Sequence, residues 1–178
     1  TQFEQDATYP TSYIPTYGVS QTRLKDNCHL INSTSLPTAY PFTLFADVTL
    51  TDSMSDEPRF MSFIGDSGTQ YYAIGYSFSI SSFRVLSRNG GGQNVFDSSN
   101  YSLGNHKVAA IFTETEVKMF VDGNNEGNIA NTILFSSAFD NLVLGQLRIQ
   151  GDSNARSPLN QALVFPTALS DEECIQLT

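Results

Sequence analysis

The chain has 178 residues, 40% of them apolar, enough for one domain of ordinary size with a sizeable core and a short appendage. Nine Lys and Arg against 18 Asp and Glu leave a net charge of −9. That balance excludes nucleic acid and an anionic membrane as main partners, because both demand clustered cations.

Charged residues make up only 15%, Trp is absent, and Phe and Tyr supply the aromatic content. With abundant Ser, Thr, Asn and Gly, this is the profile of a β-rich extracellular or virion protein. No run approaches the roughly 18 apolar residues that span a bilayer, so no membrane insertion is expected. The abrupt start at Thr1-Gln2-Phe3 fits a fragment of a longer chain.

Residues 1–28 differ from the rest. Residues 8–16 read TYPTSYIPT, with Pro10 and Pro15 fixing φ and removing donors. An extended, polyproline-like or edge-strand arm is predicted, docked through Tyr9, Tyr13, Ile14 and Tyr17. The globular part is predicted over 29–178. Residues 41–50, PFTLFADVTL, alternate Phe42, Leu44, Ala46, Val48 and Leu50 with polar residues, and Phe45 breaks the pattern. Residues 51–58 form a loop with three hard oxygen donors, Asp52, Asp56 and Glu57. Their spacing is not that of an EF-hand, so no cofactor is expected, and a calcium ion stays open as an alternative.

Residues 59–64 and 71–80 predict two further strands, the second with Tyr72, Ile74, Tyr76, Phe78 and Ile80 on one face. Residues 83–86 follow, then a flexible hairpin tip at 89–93, NGGGQ. Lacking Lys-Ser/Thr and a following helix, that tip is not a phosphate loop. Residues 106–124, HKVAAIFTETEVKMFVDGN, read as a hairpin: Val108, Ala110 and Phe112 face one way, as do Val117, Met119 and Val121. Asp122-Gly123 suits the positive φ of a tight turn. Strands are also predicted at 141–145 and 159–165. Ser170 and Glu173 then form a capping box, starting a short helix anchored by Ile175 and Leu177.

These segments carry a resemblance. The 106–124 hairpin is similar to the central hairpin of laminin-G-like, concanavalin A-type β-sandwiches. Residues 2–23 resemble a segment common in phage and prophage tail fibres, with Gln2, Glu4, Thr11, Ser12, Tyr13, Ile14, Pro15, Thr16, Gly18, Thr22, Arg23 and Asp26 matching and Asp6 departing from the usual Gly. Leu144-Gly145-Gln146 and residues 160–178 resemble the end of the same sandwiches. The resemblance implies an all-β, two-sheet jelly-roll sandwich with a short C-terminal helix and an N-terminal arm. It also implies a receptor-binding module of a virion appendage, extracellular after release, joined to upstream fibre modules and assembled as a homotrimer. Its partner would be a host cell-surface polysaccharide or other glycan. A structural capping or trimerising module and a polysaccharide depolymerase are the alternatives. Cys28 and Cys174 fit no metal motif; they either pair across neighbouring sandwich termini or stay reduced.

Signs of catalysis are missing. Glycoside hydrolysis needs two carboxylates facing one bond, and Glu114 and Glu116 instead flank a hairpin turn. No Ser occupies a nucleophile elbow, and His29 and His106 lack partners for a triad or a zinc site. A non-enzymatic binding surface is therefore expected. Tyr71, Arg84, Arg88, Asn89 and Asn94 are its candidates, with Tyr71 exposed while Tyr72 and Tyr76 enter the core. Host recognition is expected on the loops between 66 and 97, around a mobile Gly90-Gly91-Gly92 run.

Overall fold

The hairpin at the centre of the chain forms as its period-two pattern requires. The computed structural model describes residues 28–30, 33, 36–52, 57–65, 70–134, 139–145 and 158–178. Strands β7 (Gly104–Phe112) and β8 (Glu116–Val121) pair with Val108 opposite Val121, Ala110 opposite Met119 and Phe112 opposite Val117. Thr113 closes their turn: its Oγ1 accepts from the amides of Thr115 and Glu116 at 3.2 and 3.0 Å. β2 (Phe42–Leu50) runs along the other side of β7, β11 (Leu159–Phe165) lies beyond β2, and β9 (Asn124–Ala130) lies beyond β8. This five-stranded sheet has the order β11-β2-β7-β8-β9.

The second sheet has six strands, β1 (Cys28–Leu30), β10 (Phe139–Leu144), β3 (Arg59–Gly65), β4 (Gln70–Ser77), β5 (Ser82–Asn89) and β6 (Gly92–Asn100), in the order β1-β10-β3-β4-β5-β6. Alternation sends Phe63, Tyr72, Ile74, Tyr76, Phe83 and Val85 inward against Phe42, Leu44, Val108, Phe112, Val117 and Met119 of the first sheet. At one end of this core the rings pack together. Phe42 stacks on Phe112 at 5.0 Å, and Tyr72 tilts against Phe112 at 4.6 Å.

The five-stranded sheet also buries its outer face. There Phe45, Ala109, Ile111 and Phe120 meet Cys174 of α1 (Asp171–Leu177). Phe45 breaks the alternation of its strand because both faces of β2 are covered. The capping box forms as expected: Ser170 Oγ accepts from the Glu173 amide at 3.2 Å, and Glu173 Oε2 accepts from the Ser170 amide at 2.7 Å. Lys118 fixes the helix start through Asp171 at 2.9 Å, and Thr178 fixes its end by accepting from the Gly123 amide at 3.0 Å.

Three expectations about this scaffold need correction. Ile175 is 41% exposed, while Leu177 packs on the sheet as expected and Cys174 is the helix residue that inserts fully. Ile80 is not on a strand: β4 ends at Ser77, and Ile80 projects from the following turn, 41% exposed. The Gly-rich hairpin tip forms as expected. Asn89 and Gly92 are paired, Gly90 takes φ 58°, and Gly92 lies against Ile133, so the tip is a tight two-residue turn. Finally, β6 and β9 went unrecognised, because an edge strand such as NNEGNIA buries too little to carry an apolar alternation. The predicted arm over 1–28 lies outside the described residues except for Cys28.

Asp122 explains the motif that gave the hairpin its family character. It sits at φ 49° beside Gly123 at φ 79°, the conformation of a tight β8–β9 turn. From there its carboxylate pairs with His106 Nδ1 at 2.6 Å and accepts from the Lys107 amide at 2.9 Å. His106 Nε2 faces the Ser102 carbonyl at 2.8 Å, so both ring nitrogens meet oxygen. The HKVA and VDG residues are thus one lock between β7 and the β8–β9 turn. Asp122→Ala is expected to lower stability by about 1–3 kcal/mol, since it strips two partners and places Ala at positive φ. Urea unfolding with an unchanged m-value checks this.

Both cysteines are free thiols, Cys28 exposed and Cys174 buried. Burial, with the charges of Asp171 and Glu173, pushes the Cys174 thiol up to about 11. A higher thiol pKa means less thiolate at neutral pH, and the thiolate is the reactive form. A thiol reagent is expected to modify Cys28 alone in the folded protein and both thiols in urea, as mass spectrometry would show.

Candidate functional site

With α1 on the five-stranded sheet, the outward face of the six-stranded sheet is the more open one, and it carries three arginines, Arg59, Arg84 and Arg88. Pairing register builds it. Arg88 on β5 stands opposite Tyr71 on β4, and Arg84 on β5 stands opposite Gly75. Arg59 on β3 stands opposite the same glycine. Gly75 is required there, because a Cβ at 75 would collide with the Pro58 carbonyl and the Arg59 side chain. Arg59 thereby lies flat across β4 and is only 5% exposed.

Two of the three arginines are neutralised. Glu57 bridges Arg59 Nη2 at 2.9 Å and Arg84 Nη1 at 2.6 Å. Arg84 also grips Asp97 with two bonds, at 2.6 and 3.1 Å. Donating to the Asp97 carboxylate raises the Arg84 pKa above its ordinary value, against the opposing effect of burial. Glu57 is therefore committed to guanidinium groups. No group of three or more candidate metal-binding side chains occurs among the described residues. Asp56, the middle donor of the suggested calcium set, lies outside those residues.

Arg88 differs. Among the described residues it forms no ion pair, and its Nε donates only a long bond, 3.4 Å, to the Gly90 carbonyl. It stands half-buried beside an apolar floor of Ile64, Tyr71, Ala73, Leu86 and Val143. Tyr71 belongs to that floor. The expectation that it is exposed is wrong: the ring is 4% exposed, because the register sets it between Ile64 and Arg88. It offers no open face for a sugar to stack on.

Asn89 and Asn94 hold chain rather than face solvent freely. Asn89 Nδ2 donates to the Leu134 carbonyl at 2.9 Å. Asn94 donates to the Ala130 carbonyl at 3.3 Å and accepts from Thr132 Oγ1 at 2.8 Å. Both fasten the segment after β9 to the end of the other sheet. Of the five sequence candidates, the structure brings Tyr71, Arg84 and Arg88 to one face and separates the two asparagines from it. Sequence reading missed Arg59 and Asp97 and read Glu57 only as a possible calcium donor, because their partnership depends on register. The one local signal was a glycine within an otherwise aromatic strand, which marks a close approach.

Glu114 is exposed at the β7–β8 turn, and Glu116 accepts from Asn128 Nδ2 at 2.6 Å. Both therefore lie at the hairpin turn, where the sequence places them.

Two antiparallel sheets, strand order and a helix on one back define a concanavalin A-like sandwich. Residues 25–174 match the Laminin_G_3 family, described as the Concanavalin A-like lectin/glucanases superfamily, and the chain belongs to it. A comparison with curated proteins found no match. Among solved structures, the IT-sialidase CBM40 of Ruminococcus gnavus bound to α2,3-sialyllactose is similar: 16% identity, TM-score 0.69, over 88% of this chain and 95% of that one. The SAP-like pentraxin of Limulus polyphemus shares 14% identity at TM-score 0.66, over 87% and 76%. The leech intramolecular trans-sialidase shares 16% at TM-score 0.67, with 86% of this chain matching 27% of that one. At such identities the likeness is one of fold.

Proposed function

We propose that this domain is the receptor-binding module of a phage tail fibre, attaching the virion to a host cell-surface glycan with an acidic sugar. The observation that carries the reading is Arg88, a guanidinium without an ion pair among the described residues, on a sheet face of a lectin-type sandwich. A guanidinium binds a carboxylate through two parallel hydrogen bonds, which gives geometry as well as charge. The similar R. gnavus module is bound to a sialylated sugar, which supports an acidic ligand class. The tail-fibre context rests on the resemblance of residues 2–23 and 160–178, which also suggests a homotrimer on the virion. Sedimentation of the intact chain tests that assembly.

Arg59 and Arg84 serve this face by holding it flat, with their charge spent on Glu57 and Asp97. Recognition then leans on charge and polar contacts rather than on a stacked tyrosine, given the burial of Tyr71. The test is binding of the purified domain to host cells and to a glycan array containing sialylated and uronate-bearing sugars. Retention of acidic glycans is the expected result. A folded, soluble oligomer that binds neither cells nor glycans would instead favour a structural capping module.

Hydrolysis is not part of this reading. Glu114→Gln combined with Glu116→Gln is expected to leave glycan binding unchanged. Release of reducing ends from polysaccharide by the wild type, lost in that double variant, would contradict it.

A further inference from the structure

We infer a second sugar site, for an uncharged sugar ring, in the cleft at the far end of the sandwich beside the β4–β5 turn. The cleft encloses about 370 Å³, at the lower end of the roughly 300–1,000 Å³ typical of small-ligand sites. Tyr76, Phe78, Tyr101 and Leu103 form its apolar wall. Asp52, Ser81 and Ser102 supply its polar edge.

Half-buried Tyr101 presents its ring, not its hydroxyl, and Tyr76, 2% exposed, backs it from the core. Tyr76 donates its hydroxyl to the Tyr101 carbonyl at 2.6 Å, and Tyr101 donates its own to Glu126 at 2.6 Å. Burial, then the bond to Glu126, pushes the Tyr101 phenol up to about 12, so it stays neutral. Phe78 meets Tyr76 edge-on at 4.9 Å. Leu103 at the lip is 51% exposed, and Ile80 in the adjoining turn is 41% exposed. Large apolar groups left bare around an aromatic cleft mark a place where something binds.

The turn is also held in an uncommon shape. Ser81 sits at φ 53° without being glycine, fixed by its carbonyl accepting from the Tyr101 amide at 2.8 Å. Backbone of this kind concentrates at binding sites. A sugar ring matches the combination, with an apolar C–H face for the rings and a hydroxyl rim for Asp52 and the serines. An alkyl chain would leave those polar groups without partners. Among the described residues Asp52 is the one charged residue lining the cleft, so the acidic sugars suited to Arg88 are disfavoured here. The two sites also lie apart: Arg88 pairs opposite Tyr71 near the start of β4, and the cleft lies past its end. This inference does not rest on the acidic-glycan reading.

Amide spectra of the whole chain, titrated separately with methyl galactoside, methyl glucoside and methyl N-acetylglucosaminide at millimolar concentration, test it. At least one sugar is expected to shift Ser81, Ser102 and Leu103 and to leave Arg88 unmoved. Asp52→Asn and Leu103→Ser, both at exposed positions, should each weaken that affinity about tenfold without changing Tm, and Arg88→Glu should leave it intact. The inference is overturned if no neutral sugar shifts those amides, or if both cleft variants bind as tightly as the wild type. Sialyllactose binding lost in Arg88→Glu is read in a separate titration, so each site can fail alone.

Discussion

Phe42→Ala is expected to cost about 3–5 kcal/mol, the largest loss from truncating one side chain in this domain. Phe42 is fully buried at the first position of β2. Its ring stacks on Phe112 at 5.0 Å and meets Phe63 and Tyr72 edge-on at 5.2 and 5.3 Å. Those partners come from three other strands in both sheets, so no single neighbour can collapse into the void. Deleting the ring removes its transfer free energy and leaves a cavity that the paired backbones cannot close. For a chain of this size the corresponding fall in Tm is roughly 6–20 °C. Val117→Ala removes less volume, and about 1–3 kcal/mol is expected there. Urea unfolding of both variants, followed by tyrosine fluorescence, ranks them. Equal losses would show that the ring cluster is not the centre of the core.

The largest functional effect is expected from Arg88→Glu. The substitution removes the guanidinium and sets a carboxylate where the sugar's own would sit. A lost charge-assisted pair is worth about 1.5–3 kcal/mol, and repulsion adds to it, so binding of an acidic glycan should fall by about a hundredfold or more. Stability should hardly change, because among the described residues Arg88 has no carboxylate partner and its one hydrogen bond, to the Gly90 carbonyl, is long. Arg84→Ala makes the contrast. It leaves Asp97 without a partner and Glu57 with Arg59 alone, so it is expected to reduce Tm. A loss of binding in Arg88→Glu accompanied by an equal loss of stability would move Arg88 from ligand contact to scaffold.

Much of the scaffold was legible because local pattern and final environment agree. Val108, Ala110 and Phe112 alternate in sequence and lie on one buried face; Ser170 and Glu173 spell a cap and form one. Phe45 read as an exception for a reason that alternation cannot supply, namely a helix from the far end of the chain on the opposite face. Edge strands such as β9 were silent because they bury little. The site was only half legible. Arg84 and Arg88 read as polar residues between 66 and 97, and the structure places them on one face with Tyr71. Tyr71 was taken for the exposed partner of Tyr72 because alternation predicts an outward direction. Direction is not exposure, however, and its outward face carries Ile64, Leu86 and Val143 as well. Asn89 and Asn94 looked adaptable in a glycine-rich stretch, yet their amides reach carbonyls some 36–45 residues further along the chain. No sequence pattern encodes such a bond.

The central claim is that an acidic glycan is bound at Arg88 on the outward face of the six-stranded sheet. An isotope-labelled sample titrated with 3′-sialyllactose, and then with lactose as the uncharged control, tests it most directly. The account predicts shifts at Arg88 and its strand neighbours Ser87 and Asn89 with sialyllactose, absent with lactose and abolished in Arg88→Glu. Shifts confined to other surfaces, or shifts of equal size with both sugars around Arg88, would contradict it.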